Sequence, residues 1–280
     1  MVLISVVNVG HLQNLNMKIS ICADDIGQDP AITQGCLRLF ELKRISQISV
    51  LSTSPYVAQD AQSISLARRR GLQVGLHFNL TLPFGHPPLN MSLLQLMMMS
   101  QLGLLPVEKI QQSFDFQLKT FEDIFQFKPD FIDGHQHVHQ FPQIRDVLIH
   151  QVLHHYSDAL PWIRSTVLPR NTTQLPQAFK CNLLNVLGGA TFLQLLKQNK
   201  ISCNNGFLGV YDFNAPDISS YRILMLQWLS LAQEGTLLMC HPANQQVDND
   251  AIGKQRPIEF NYLESTQFLD DLSQHGCQLF

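Results

Sequence analysis

Short apolar, β-prone runs recur along this chain with helix-like segments between them, and that alternation narrows its fold more than any other feature. The strand candidates are 18–23, 45–51, 72–80, 130–135, 162–165, 201–209 and 236–241. Parallel βα units are the natural reading, and a count near seven lies closer to a barrel than to a small sandwich. At 280 residues the chain has the size at which an α/β barrel forms one domain around a large core. Asp29 and Pro30 predict the start of a helix running towards Lys43 that buries Ile32, Cys36 and Leu39. After Pro106, residues Val107, Ile110, Phe114, Leu118, Phe121 and Phe125 step by three and four, which predicts a helix with an apolar core-facing stripe.

Composition excludes several partner classes. With 45% hydrophobic and 15% charged residues and a net charge of -3, the chain shows no basic surface for nucleic acid or an anionic membrane. The apolar stretch 93–107 is interrupted by Gln95, Ser100 and Gln101 and is too short to span a bilayer. Six cysteines without a CxxC pair argue against a zinc ribbon or a disulfide frame and fit reduced thiols. A soluble cytoplasmic protein is expected.

Polar residues gather where the inferred strands end: Asp24-Asp25 after the first, His77 in GLHFNL, DGHQHVH over 133–139, and His241 in MCHPA. In a parallel barrel these ends converge on one face. Asp25, His77 and one histidine of 133–139 would then offer one oxygen and two nitrogens to a divalent metal, with room left for substrate. Asp24 points away from its neighbour, so it would stay uncoordinated and act as a general base, and His241, fixed by Pro242, would act as a general acid. Each residue has a plainer reading: an Asp pair after a strand serves helix capping, and a lone histidine in an apolar strand is a satisfied core residue. Three histidines within five residues are harder to explain that way, because burying them unpaired is costly. His150, His154 and His155 read as a solvated helix end, and His86 lies in a proline loop that follows a strand. The loops at 82–92 and 243–257 are candidate specificity loops at the rim.

In order and spacing, CADDIG, GLHFNLT, DGHQHVHQFP and MCHPA resemble the motifs of the YdjC/ChbG family of carbohydrate deacetylases. The resemblance runs from Met17 over nearly the whole chain. It implies an α/β fold, a distorted (β/α) TIM-like barrel in a single domain at 17–280, which removes an acetyl group from an N-acetylated sugar or oligosaccharide with a divalent metal. It further implies Asp25, His77 and His135 as metal ligands, Asp24 as catalytic base, His241 as proton donor, Asn79 and His137 as substrate contacts, and His139 as a residue that shapes the pocket or holds substrate. The ion expected is zinc or magnesium, with manganese, iron or cobalt as alternatives, and a homodimer is compatible with the outer helices of a barrel. Residues 1–16 have no family counterpart and are expected to be an optional extension. Cys22, Ile26 and Gly134 stand where the family has Asn, Phe and Ser. Rival readings are a hydrolase of another amide or a phosphoester, and a non-catalytic glycan-binding barrel.

Overall fold

In the computed structural model of the protein, the structure describes residues 17–84, 89, 91–169 and 188–280. His86, Cys181, the segment 170–177 that the sequence marks as proline-rich and polar, and residues 1–16 lie outside the described residues. The strands are β1 (Met17–Ile26), β2 (Gln47–Val50), β3 (Gln73–Phe78), β4 (Phe131–Gly134), β5 (Trp162–Ile163), β6 (Gly206–Leu208), β7 (Thr236–Cys240) and β8 (Cys277–Leu279). Between them run α1 (Pro30–Glu41), α2 (Val57–Arg69), α3 (Leu93–Gln101), α4 (Val107–Phe125), α5 (Ile144–His155), α6 (Ala190–Gln198), α7 (Ile218–Leu231), α8 (Arg256–Glu264) and α9 (Thr266–Gln274).

All pairings are parallel, in the order β5-β4-β3-β2-β1-β7-β6. The sheet curls with helices around it, which is the distorted barrel expected from the sequence. Among the described residues no strand ladder joins β5 to β6, yet Ile163 N donates to Ser202 O (2.9 Å) and Phe207 N donates to Val167 O (2.9 Å), so backbone bonds cross that seam. β8, which the sequence pattern did not mark, pairs with the first residues of β1 at Met17↔Cys277 and Ile19↔Leu279.

The helices form as their sequences dictate. Asp29 caps α1 by accepting from Ala31 N at 2.8 Å, Pro30 fills the first turn, and Ile32, Cys36 and Leu39 are buried. On α4 the stripe Ile110, Phe114, Leu118, Phe121 and Phe125 is buried, whereas Val107 at the first position is 40% exposed, before the helix has turned onto the core. His154 and His155 close α5 as a helix end, with His155 Nε2 3.0 Å from Asp115.

Strand alternation divides the residues between two faces. Ile19, Ile21 and Ala23 join the core shared with the helices, while Cys22 belongs to a separate apolar cluster with Phe131, Phe207, Leu237 and Met239. The register Cys22↔Gln47 and Cys22↔Met239, with Gln47↔Gln73, assigns that second face to the barrel interior. Ser20, Gln47 and Gln73 lie at its N-terminal end, the apolar cluster lies in the middle, and Asp24, Ser49, His77 and Asp133 lie at the C-terminal end.

Candidate metal centre and active site

The backbone parts the two neighbouring carboxylates. Register along β1 and β2 slips between Ala23 and Ile26, a bulge, and Asp25 has φ 65, a left-handed value that a short polar side chain tolerates. Gly27 follows with φ 90, at a point where a Cβ would come within 2.2 Å of Val57 Cγ2, so glycine is required there. The bulge lets Asp24 and Asp25 address different partners instead of opposite faces of a regular strand.

Asp25 Oδ1 lies 2.9 Å from His135 Nδ1 and 3.4 Å from His77 Nε2, and Arg256 Nη2 donates to Asp25 Oδ2 at 2.8 Å. Arg256 is itself held by Asp250. Burial pushes the Asp25 carboxyl up, but the Arg256 guanidinium and His135 more than offset it and hold it well below the usual carboxylate range. The ligating atoms of Asp25, His77 and His135 all fall within 4.8 Å of one another. His77 Nδ1 is taken by Asp133 Oδ1 at 2.6 Å and lies 3.0 Å from Ser49 Oγ, which leaves Nε2 facing Asp25. A carboxylate behind a ligating histidine is the usual arrangement for fixing its tautomer. Three donors of these types, supported in this way, fit a divalent ion.

Asp24 is the carboxylate outside that cluster. Arg164 clamps it, donating from Nη1 to Oδ2 at 2.6 Å and from Nη2 to Oδ1 at 2.7 Å. The same Nη2 lies 2.9 Å from Cys22 Sγ and 2.5 Å from Asp133 Oδ2, the last a charge contact without hydrogen-bond alignment. Cys22, Asp24 and Asp133 also bring their ligand atoms within 4.8 Å of one another, but the guanidinium already supplies the positive charge among them, so this second group is an arginine site. Cys22 therefore sits beside Arg164 beneath Asp24, with its Sγ donating to Asp24 Oδ1.

His241 leaves β7 with its ring edge-on to Phe213 and its Nδ1 buried without a hydrogen-bond partner, while its backbone N donates to Glu259 Oε2 at 2.6 Å. Burial pushes its imidazole down to about 4, against the upward pull of Asp25 and Asp24. Tyr211 donates to the other oxygen of Glu259, whose carboxyl is pushed up to about 7 by burial. His137 stands half-buried in a 3-10 turn with φ 59, edge-on to Phe207, with Nδ1 unpartnered. Burial and the neighbouring His139 push it well below the ordinary histidine range.

Two expected substrate contacts are occupied by the fold. His139 is fully buried, its Nε2 donating to Arg164 O at 3.0 Å, so it carries the backbone of the arginine. Asn79 spends its side chain on its own turn, accepting from Thr81 N and Leu82 N and donating to Leu82 O. Gly134 faces His139: a Cβ there would lie 2.9 Å from His139 N, Cβ and Nδ1, so the missing serine makes room for that ring.

Sequence reading missed Arg164, Arg256 and Ser49. Arg164 stands alone in WIRST and Arg256 in KQRPI, and neither carries a pattern that would single it out. Asp133 was quoted within its motif without a role, and its position two residues before His135 was the available signal.

Residues 18–274 match the family described as YdjC-like protein. A carbohydrate deacetylase of Xenopus laevis is 30% identical over 192 residues, covering 61% of this chain and 61% of that protein. A chitooligosaccharide deacetylase of Escherichia fergusonii is 33% identical over 131 residues, covering 44% of this chain and 50% of that protein. The matched regions thus span between half and about three-fifths of these relatives' own lengths. In structure the chain is similar to a proposed cellobiose-phosphate cleavage protein from Enterococcus faecalis V583, with a TM-score of 0.69 at 21% identity over 95% of this chain and 97% of that one, which bears on the fold alone. With its four motifs gathered at one end of one barrel and the match running over nearly all of its length, the chain belongs to the YdjC-like protein family.

Proposed function

We propose that the protein is a metal-dependent hydrolase that removes the acetyl group from an N-acetylated sugar or oligosaccharide. The observation that carries this reading is the division of labour in the Asp pair: Asp25 faces two imidazoles, and Asp24 stands outside them, oriented through both oxygens by Arg164. Asp25, His77 and His135 would hold the ion, and two imidazoles beside one carboxylate suit zinc better than magnesium. When bound, such an ion supplies Lewis-acid polarisation of the acetyl carbonyl and acidifies a water.

The remaining chemistry belongs to the chain. Asp24 Oδ1 accepts from both Arg164 Nη2 and Cys22 Sγ, whereas Oδ2 keeps a lone pair beside its bond to Arg164 Nη1, so Oδ2 is the oxygen that would accept the attacking water's proton in a fixed orientation. His241 is neutral at rest, so the proton it would deliver to the departing amine nitrogen is the one that Asp24 takes from the water, passed on to the imidazole, which leaves both groups as they began. His137, half-buried with an unpaired ring nitrogen, is the substrate-contacting histidine in this reading. The names of the two deacetylase relatives support the substrate class. A phosphoester substrate is disfavoured because the two arginines among the described residues of the site, Arg164 and Arg256, are both engaged by carboxylates.

Acetate release from N-acetylated mono- and oligosaccharides, after loading with zinc, manganese, cobalt or magnesium and with phosphoesters alongside, tests the reading. Acetate is expected from the wild type, with turnover about 100- to 10,000-fold lower in Asp24→Asn. A near-normal rate in Asp24→Asn would remove Asp24 as the base. Phosphate release without acetate would replace the reaction.

A further inference from the structure

The interior of the barrel has a second polar end. Below the apolar cluster of Cys22, Phe131, Phe207, Leu237 and Met239 lies a cavity of about 250 Å³ at the N-terminal ends of the strands, away from the Asp and His motifs at the C-terminal ends. Ser20, Gln47, Gln73, Ser202 and Asn205 line it together with the ring of Trp162. None of its lining residues is an Asp, Glu, Lys, Arg or His.

Its hydrogen-bonding groups are partly organised and partly unspent. Gln47 is 5% exposed; its Nε2 donates to Ser20 Oγ at 2.9 Å and to Gln73 Oε1 at 3.0 Å, while its Oε1 is buried with no partner. A buried amide oxygen left unpaired costs free energy that a donor from outside the chain would recover. Asn205 is anchored through Nδ2 to Glu234 O at 3.1 Å. Trp162 is stacked on Phe131 with centroids 4.4 Å apart and an interplanar angle of 20°, which holds the indole rigid.

Fixed amides and hydroxyls beside a held aromatic ring, without formal charge, match a ligand that has many hydroxyls and an apolar ring face. A volume just under the roughly 300–1,000 Å³ of sites for drug-sized ligands selects a single sugar ring over an oligosaccharide. We infer that the N-terminal end of the barrel is an accessory binding site for a neutral monosaccharide-sized polyol, separate from the proposed catalytic centre. The apolar cluster between the two ends keeps one molecule from occupying both, and this site is expected to bind without chemistry.

Titrating the full chain with glucose while following tryptophan fluorescence tests the inference. Trp162 lines the cavity and the other tryptophan, Trp228, is buried among α7 residues. Glucose lacks an acetamide, which separates this site from the deacetylation reading. The expected result is a saturable change that persists in Asp24→Asn and is at least about tenfold weaker in Gln47→Leu, as loss of one or two hydrogen bonds implies. Gln73→Ala, at an exposed position of the cavity mouth, is the second variant should Gln47→Leu fail to fold. No saturable change, as for a cavity that holds only water, overturns the inference. So does unaltered affinity in the folded Gln variants, loss of binding in Asp24→Asn, or equal binding of glucose 6-phosphate, which would remove the preference for a neutral ligand.

Discussion

Removing Arg164 would leave Asp24 and Cys22 facing Asp133 in a fully buried space, with the guanidinium gone and His77 beside Asp133 alone. Arg164→Met is therefore expected to lower unfolding stability by about 3–5 kcal/mol, the usual cost of breaking a buried ion pair on one side, as read by urea denaturation. A loss below about 1 kcal/mol would show that the cluster is not held by charge. Asp133→Asn asks a narrower question, because it alters the support behind His77 while Asp25, His77 and His135 stay in place. Metal affinity is expected to fall about 10- to 100-fold in a titration with zinc. At this scale the proposed ligands were legible as a candidate cluster because aspartate and histidine gather in short motifs at strand ends. The arginines were not, since what makes them functional is a set of partners far away in the chain: Arg164 meets Asp24 across 140 positions and Arg256 meets Asp25 across 231.

Elements carry the site through small departures from regularity. The bulge in β1 separates Asp24 from Asp25, and the left-handed turn after Gly134 swings His137 and His139 to different places. Gly134→Ser restores the family's usual residue, yet its Cβ would crowd His139 at 2.9 Å. Destabilisation of about 1–3 kcal/mol is expected in thermal or urea unfolding. Equal stability would mean that His139 is free to move away. The strands and the stripe of α4 were readable from apolar periodicity, and the cap of α1 from Asp29-Pro30. Neither the bulge nor β8 was readable: a bulge leaves no compositional mark beyond a glycine nearby, and β8 is three residues whose strand character comes from its pairing with β1. His139 and Asn79 were expected as substrate contacts from the family resemblance, whereas both are buried and bond to the chain itself.

For the whole molecule, the balance of buried titratable groups sets the pH range of stability. His139 and His241 are both pushed down to about 4, below the roughly 6.5 of an unfolded histidine, so the folded chain binds fewer protons and loses stability as pH falls from about 6.5 towards 4. Glu259 is pushed up to about 7, so its contribution grows as pH falls from about 7 towards its unfolded value and opposes that loss. His137 is also pushed well below the ordinary range, so with three imidazoles against one carboxyl the melting temperature is expected to drop across this window. The drop should be shallower in His139→Gln and steeper in Glu259→Gln; unchanged slopes in both would remove these groups as its cause. Among the described residues no helix is long and apolar enough to cross a membrane. The barrel was legible at this scale because parallel βα units admit few closed arrangements, and its layered interior became visible only once strand register was known. Metal stoichiometry by isothermal titration tests the central claim most directly. One divalent ion per chain is predicted for the wild type and for Asp24→Asn, with binding lost in His77→Ala and His135→Ala. Full-affinity binding in either histidine variant, or its loss in Asp24→Asn alone, would contradict the assignment of Asp25, His77 and His135 as the ligands with Asp24 standing apart.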